Sequence, residues 1–333
     1  MSDPATLTRH STPSVPDIGS IHGHSEAART IGPVKSLLET TKPGITKLVT
    51  ITSMVGFVMA TAGQAGSDLR RLVFIGLACT VGTALSAAGA NAINQYIERE
   101  RDARMPRTLR RPLPTRRVSP AAVLTAGLLL CIAGCGVLWA WCGSVPALLS
   151  LACIVSYIAA YTPMKTASSL STFVGAIPGA LPPLIGWTTA SETPGWAAAA
   201  EWGGLSLFIL MFVWQIPHFL AIAWMYKDDY AKGGYVVLPV IDPGGAWTAM
   251  SIGLWSAALL PATLLPALVM PDRLGLPYLA FASLSGLAFL YFAARLIRSR
   301  ERKDARALFF GSIMHLPLLL VVMVAEALAR GIF

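Results

Sequence analysis

Residues 91–113 read Asn91-Ala-Ile-Asn94-Gln-Tyr-Ile-Glu98-Arg-Glu-Arg-Asp102-Ala-Arg-Met105-Pro-Arg107-Thr108-Leu-Arg-Arg111-Pro112-Leu113. An apolar run, 72–90, precedes this stretch, and another, 120–142, follows it. The most charged segment of the chain is therefore wedged between two segments of membrane length. A helix persisting to Met105 brings Asn94, Glu98 and Asp102 onto one face, because they recur every four residues. Eight residues of helix rise about 12 Å. The result is a ladder of oxygen ligands with Arg99, Arg101, Arg104 and Arg107 around it. Pro106 should end the helix nearby. Hard cations such as Mg2+ take oxygen ligands and bind one or two carboxylates together with substrate phosphates. Guanidinium forks match phosphate oxygens. The pattern predicts a metal-bridged diphosphate at a membrane edge. The plainer alternative is a solvated, salt-bridged loop.

Working outward, composition fixes the class. Of 333 residues, 54% are hydrophobic and 13% charged, and mean hydropathy is +0.60. Soluble domains carry about 25% charged residues. An all-α, polytopic membrane protein is expected, with about nine spans at 45–63, 72–97, 120–142, 145–162, 172–190, 202–225, 247–270, 274–297 and 307–329. Period-2 alternation is absent, which favours helices over a barrel. The net charge of +9 reads as topology rather than nucleic-acid binding. With the N-terminus inside, Arg99 to Arg117, Lys165, Lys227, Lys232 and Arg298 to Arg306 all fall on the inner side. The outer segments hold only Arg70, Arg71, Arg273 and Arg330. That bias predicts an inner-membrane protein with a cytoplasmic N-terminus and an outer C-terminus.

Residues 1–35 are rich in Ser, Pro, His and Gly and lack the apolar core of a signal peptide. They read as a disordered cytoplasmic tail, and 36–333 as one intramembrane domain. His10, His22 and His24 belong to that tail and read as solvated. The cysteines at 79, 131, 135, 142 and 153 all sit in apolar segments without a CxxC pair, and read as small core residues.

Lys42-Pro43-Gly44 leads into the first span, and a tight turn near Gly143-Ser144 separates spans three and four. The fifth span, 172–187, holds three prolines and three glycines in sixteen residues. Gly175 and Gly179 form a GxxxG surface for close helix packing. A broken, kinked helix lining a cavity is the alternative reading. The sixth span contains Trp214-Gln215-Ile216-Pro217-His218-Phe219 and leads into Tyr226-Lys227-Asp228-Asp229-Tyr230-Ala-Lys232. An intramembrane histidine is a functional candidate because burying it is costly. Spans two and six are four helices apart, and each leads into acids on the inner side, which suggests a weak internal repeat. Two such clusters on one face can clamp a diphosphate through Mg2+, with the apolar tail entering the bundle.

At these residues the chain resembles the UbiA-type intramembrane prenyltransferases. Asn94, Glu98, Asp102, Met105, Arg107, Thr108, Arg111 and Pro112 match the family's first signature, with Glu98 where Asp is common. The haem-farnesylating branch is resembled further by Tyr161-Thr162-Pro163 with Lys165, and by Gly179, Ala180, Pro182, Pro183, Gly186 and Trp187. Trp214, Gln215, Pro217, His218 and Phe219, then Asp229, Tyr230 and Gly233, and finally Ser312 and His315-Leu316-Pro317, extend the likeness over roughly 36–328. Thr166 stands where Arg is usual and Ser171 where Asn is usual. The resemblance implies farnesyl transfer from farnesyl diphosphate to the 2-vinyl group of protohaem IX, giving haem O. It implies Mg2+ held by Asn94, Glu98, Asp102, Asp228 and Asp229. Diphosphate would meet Arg107, Arg111, Lys165, Lys227 and Lys232. Haem or prenyl chain would meet Tyr161, Trp214, Gln215, His218, Phe219 and His315. His218 either binds haem or orients the water that quenches the new cation. Expected partners are the bilayer, the two substrates, and haem A synthase or oxidase-assembly proteins. The other readings are a prenyltransferase for a phenolic or quinone precursor, and a multi-pass transporter.

Overall fold

The computed structural model describes residues 32–62, 64 and 68–332, and among these every regular element is helical. The expected tail lies outside the described residues up to residue 31. Within the stretch expected to be tail, Pro33 already opens helix α1, Pro33–Thr40. Proline suits the first helical position, where an amide N–H has no partner. The same device opens α2, Pro43–Thr61, after Lys42 in the left-handed region at φ 48.

Helix α3, Leu69–Asp102, starts where the Asp68 carboxylate accepts from the Arg70 amide. Its 34 residues span about 51 Å, against a hydrocarbon layer of about 30 Å. From composition, the charge on its last turns, from Glu98 to Asp102, is expected to place the excess length at that end of the apolar layer. The helix stops at Asp102, three residues short of the expected Met105, because the ring of Pro106 disfavours helix in the residues just before it.

Helix α4, Pro120–Val137, is capped by Ser119, whose hydroxyl accepts from the Ala122 amide at 3.1 Å. It runs on through a π-helical turn, Leu138–Cys142. Gly143 then reverses the chain at φ 105, a conformation glycine adopts without steric cost. Helix α5, Ser144–Val155, continues through a second π-helical stretch into the short α6, Thr162–Met164. Helix α7, Ser171–Ala190, is continuous despite Pro178, Pro182 and Pro183. The broken backbone considered from sequence is not present. Its glycines are packing devices, since a Cβ on Gly186 would overlap the Ser53 carbonyl of α2. Gly175 and Gly179 meet different partners, the Tyr161 ring and the Gln215 amide.

Helix α8, Trp202–Met225, is followed by α9, Lys227–Lys232, and α10, Leu238–Ile241. The last three are α11, Ala246–Val269, α12, Leu276–Ser299, and α13, Arg302–Ile332. Sequential neighbours pack together, and the pairs α2 with α7 and α8 with α13 close the bundle. Tyr278, Phe289, Met59 and Leu210 are buried in the main core. Leu129, Ile132, Leu254, Leu284 and Val321 point outward, as lipid-facing residues do. Among the described residues, eight helices are long and apolar enough to cross a membrane. Helix α7 is the ninth span expected from sequence, less apolar because of its glycines and prolines. The chain is a multi-pass membrane protein.

Candidate active site

The overhanging end of α3 carries the ladder. Asn94, Glu98 and Asp102 are 0%, 5% and 1% exposed. Each is held by a cation from a different segment. Lys42 Nζ donates to Asn94 Oδ1 at 2.5 Å, Lys165 Nζ to Glu98 Oε1 at 2.6 Å, and Arg111 Nη1 to Asp102 Oδ2 at 2.7 Å. Asn94 Nδ2 also donates to Thr162 Oγ1 at 3.0 Å, which fixes the amide. Thr108 Oγ1 donates to the Asp102 carbonyl at 2.9 Å and folds the loop back under the helix end. Asp102 Oδ1 is buried with no hydrogen-bond partner. A buried carboxylate oxygen without a partner is costly, so Asp102 Oδ1 is suited to receive a cation.

Lys42 is boxed in by Asn94 and by the Tyr157 hydroxyl at 3.5 Å. Burial brings its ammonium down to about 7, against the attraction of Glu98. Burial pulls on Lys165 in the same direction, but Tyr161 and Glu98 outweigh it and raise its pKa. The Lys165 ammonium lies 4.4 Å from the Tyr161 ring centroid. The Lys165 carbonyl accepts from the Val236 amide at 2.7 Å, which ties this segment to the one after α9. Met105 packs with Tyr235, Val237 and Ala223. The Arg107 guanidinium sits over the Tyr226 and Tyr230 rings, 5.1 and 5.3 Å from their centroids. Both charged segments therefore meet at one end of the bundle.

The five-ligand metal set is not assembled. Among the described residues no three His, Cys, Asp or Glu side chains converge on one point. Lys227, Asp228 and Lys232 are exposed and Asp229 is half-buried on the short α9. The ladder alone does fit a hard cation. It offers three oxygen-bearing side chains on one face, one oxygen already without a partner, and no imidazole or thiol ligand among them.

The six residues assigned to haem or prenyl chain separate. Tyr161 belongs to the ladder through Lys165. Trp214 and His218 stack at 4.7 Å between α8 and α13, and Phe309 stacks on His218 at 5.3 Å. Phe219 lies beside His218 at 5.7 Å. His218 Nδ1 bonds Ser312 Oγ at 2.6 Å, and Trp214 Nε1 donates to the Ser312 carbonyl at 3.1 Å. Gln215 turns instead towards α7, donating to the Ala176 carbonyl, and His315 turns towards Phe289 of α12. Sequence reasoning missed Lys42, Tyr157 and the backing role of Thr162. The one signal for Lys42 was a lone cation immediately before an apolar run.

A family model described as the UbiA prenyltransferase family matches residues 49–316. The Protoheme IX farnesyltransferase of Solibacter usitatus (strain Ellin6076) is 40% identical over 297 residues, covering 88% of this chain and 99% of that protein. A solved digeranylgeranylglyceryl phosphate synthase structure superposes with TM-score 0.71 at 15% identity, over 89% of this chain and 99% of that one. A UbiA homologue from Archaeoglobus fulgidus, solved bound to DMAPP and Mg2+, gives TM-score 0.58 at 15% identity, over 89% and 98%. At these identities the two structures speak for the fold.

Proposed function

The chain belongs to the UbiA prenyltransferase family, and from that membership we propose that it transfers the farnesyl group of farnesyl diphosphate to the 2-vinyl group of protohaem IX, giving haem O and diphosphate. The observation that carries the reading is the cation-held ladder at the overhanging end of α3. Asn94, Glu98 and Asp102 would hold Mg2+, and Asp228 and Asp229 would reach it only by a reorientation of the short α9. Bound there, Mg2+ supplies charge neutralisation to the leaving diphosphate.

The chain's own residues do the rest. Lys42, Lys165, Arg111 and Arg107 donate charge-assisted hydrogen bonds to the diphosphate oxygens. As the C1–O bond breaks, its electron pair leaves with the diphosphate, and the aromatic face of Tyr161 shields the allylic cation from water. The vinyl group attacks C1. Water adds to the resulting cation and loses a proton, which leaves a hydroxyethylfarnesyl side chain.

The basic bias of the inner segments supports an inner-membrane orientation with the N-terminus cytoplasmic and the C-terminus outside. A periplasmic reporter fused after Phe333 should be active and a cytoplasmic one silent. The activity test is incubation of the purified protein with farnesyl diphosphate and either haem or 4-hydroxybenzoate, read by mass spectrometry. Haem gaining a farnesyl and a hydroxyl group supports the proposal, whereas a farnesylated phenol alone replaces haem with a phenolic acceptor.

A further inference from the structure

A cavity of about 590 Å3 opens at the same end of the bundle as the ladder, where α8 ends and α13 begins. Its size falls within the roughly 300–1,000 Å3 of small-molecule and cofactor sites. One wall is cationic, made of Arg302, Lys303 and Arg306. The other is apolar and aromatic, made of Phe309, Phe310 and the Met225–Tyr226 corner. No carboxylate lines it among the described residues.

The cations stand in the first turns of a long helix, where the aligned peptide dipoles already favour anions and repel positive charge. Nearby acids do not explain them. Asp304 is turned away to Arg295 at 2.7 Å, and Glu301 pairs with Lys303 at 2.6 Å. Among the described residues, neither Arg302 nor Arg306 has an acidic partner. The Arg306 guanidinium lies 5.5 Å from the Phe310 ring centroid, so a charged fork is held over an apolar wall. Phe309 continues inward as a row of stacked rings, first His218 and then Trp214. On the opposite side, the Tyr226 ring carries Arg107, which belongs to the ladder segment.

A site with two planar forks at one edge and flat aromatic walls suits a broad apolar plane with two carboxylates on one edge. We propose that this cavity is the acceptor site, in which Arg302 and Arg306 clamp the two propionates of the porphyrin. The proposal rests on the haem-acceptor reading given above. The macrocycle then lies against Phe309, and the edge bearing the vinyl groups, opposite the propionates, faces the Tyr226–Arg107 side. The arginines select for a dianionic porphyrin and set which edge meets the farnesyl donor.

The test uses the full-length protein in nanodiscs of neutral phosphatidylcholine, titrated by absorbance with protohaem and with its propionate dimethyl ester. Wild type should prefer the diacid by about tenfold or more, as expected when charge-assisted bonds are removed. The double variant Arg302→Gln/Arg306→Gln should lose that preference, while the affinities for the diester and for radiolabelled farnesyl diphosphate hold. Arg302→Lys/Arg306→Lys, which keeps charge but not the forks, should recover part of it. Nanodiscs with phosphatidylglycerol separate the other source of anionic ligand. Loss of the diacid preference as that lipid is added, with the Gln variant unaffected by lipid, identifies a headgroup site and overturns the proposal. A wild type that farnesylates haem while the Gln double variant keeps the full diacid preference overturns the propionate clamp alone. A wild type that neither binds nor farnesylates haem overturns the acceptor reading and this site with it.

Discussion

Buried acids lie at both ends of the bundle, and they are satisfied in opposite ways. At the end away from the ladder, Glu326 accepts from the Gly275 and Tyr278 amides at 2.8 Å each and from Arg330 at 3.0 Å. The half-buried Glu201 at the same end accepts from the Trp187 indole, the Ser191 hydroxyl at 2.9 Å and the Thr193 hydroxyl. Apart from the Arg330 guanidinium, these donors are backbone amides, hydroxyls and an indole fixed by the fold. Glu326 in effect caps α12 by closing the free amides of its first turn. At the ladder end the donors are ammonium and guanidinium groups on long stems, and Asp102 Oδ1 has no partner. A carboxylate held by fixed amides stabilises a shape. One held by swinging cations can exchange them for another cation and an anion.

The largest expected effect separates the two ends directly. Asp102→Asn should lower turnover by about two orders of magnitude or more, the scale for losing one key electrostatic group. Its stability should fall by no more than about 2 kcal/mol, because Arg111 reaches water once unpaired. Chelation of divalent metal in the wild type should abolish turnover similarly, and full activity in chelator would falsify the metal reading. Glu326→Gln should do the reverse. The new amide would point an N–H at a backbone N–H, costing about 1–3 kcal/mol of stability while turnover per folded molecule is kept. Thermal melts in detergent beside initial rates measure both.

Lys42→Met sharpens the comparison within the ladder end. If Lys42 serves the diphosphate, the KM for farnesyl diphosphate should rise about tenfold with kcat little changed. An unchanged KM would class Lys42 with the fixed donors of the far end. The smallest effect belongs to His218, which is held by Ser312 and two aromatic rings and so combines both styles. His218→Ala should weaken haem binding about three- to tenfold through lost ring packing, with farnesyl diphosphate affinity intact. Haem titration beside radiolabelled donor binding decides it.

The ladder was legible because four-residue spacing and helix geometry fix a shared face without knowledge of the fold. Pro106, Pro43 and Gly143 marked ends and turns for equally local reasons. Lys42 was not legible as a site residue, since its partner Asn94 is 52 residues away and only packing brings them together. The same limit applies to Asp228 and Asp229. Spacing places them at the ladder end, but whether α9 presents them to the ladder depends on its packing, which leaves Asp228 exposed and Asp229 half-buried. In α7 the prolines suggested a break, yet close packing against α2 accommodates an unbroken helix. Arg302 and Arg306 read from sequence only as inner-side charge, because the aromatic wall opposite them is completed by a different helix.

The overhang of α3 has a consequence for how such a reaction is supplied. With the diphosphate seated at the height of the lipid headgroups, a donor molecule can arrive without its tail leaving the hydrocarbon or its head leaving water. Its search is then confined to a plane. Occupancy would follow the mole fraction of donor in the leaflet rather than its amount per volume of buffer. Diluting the membrane with inert lipid at fixed total donor should slow the reaction, whereas diluting the suspension with buffer should leave the rate per protein unchanged.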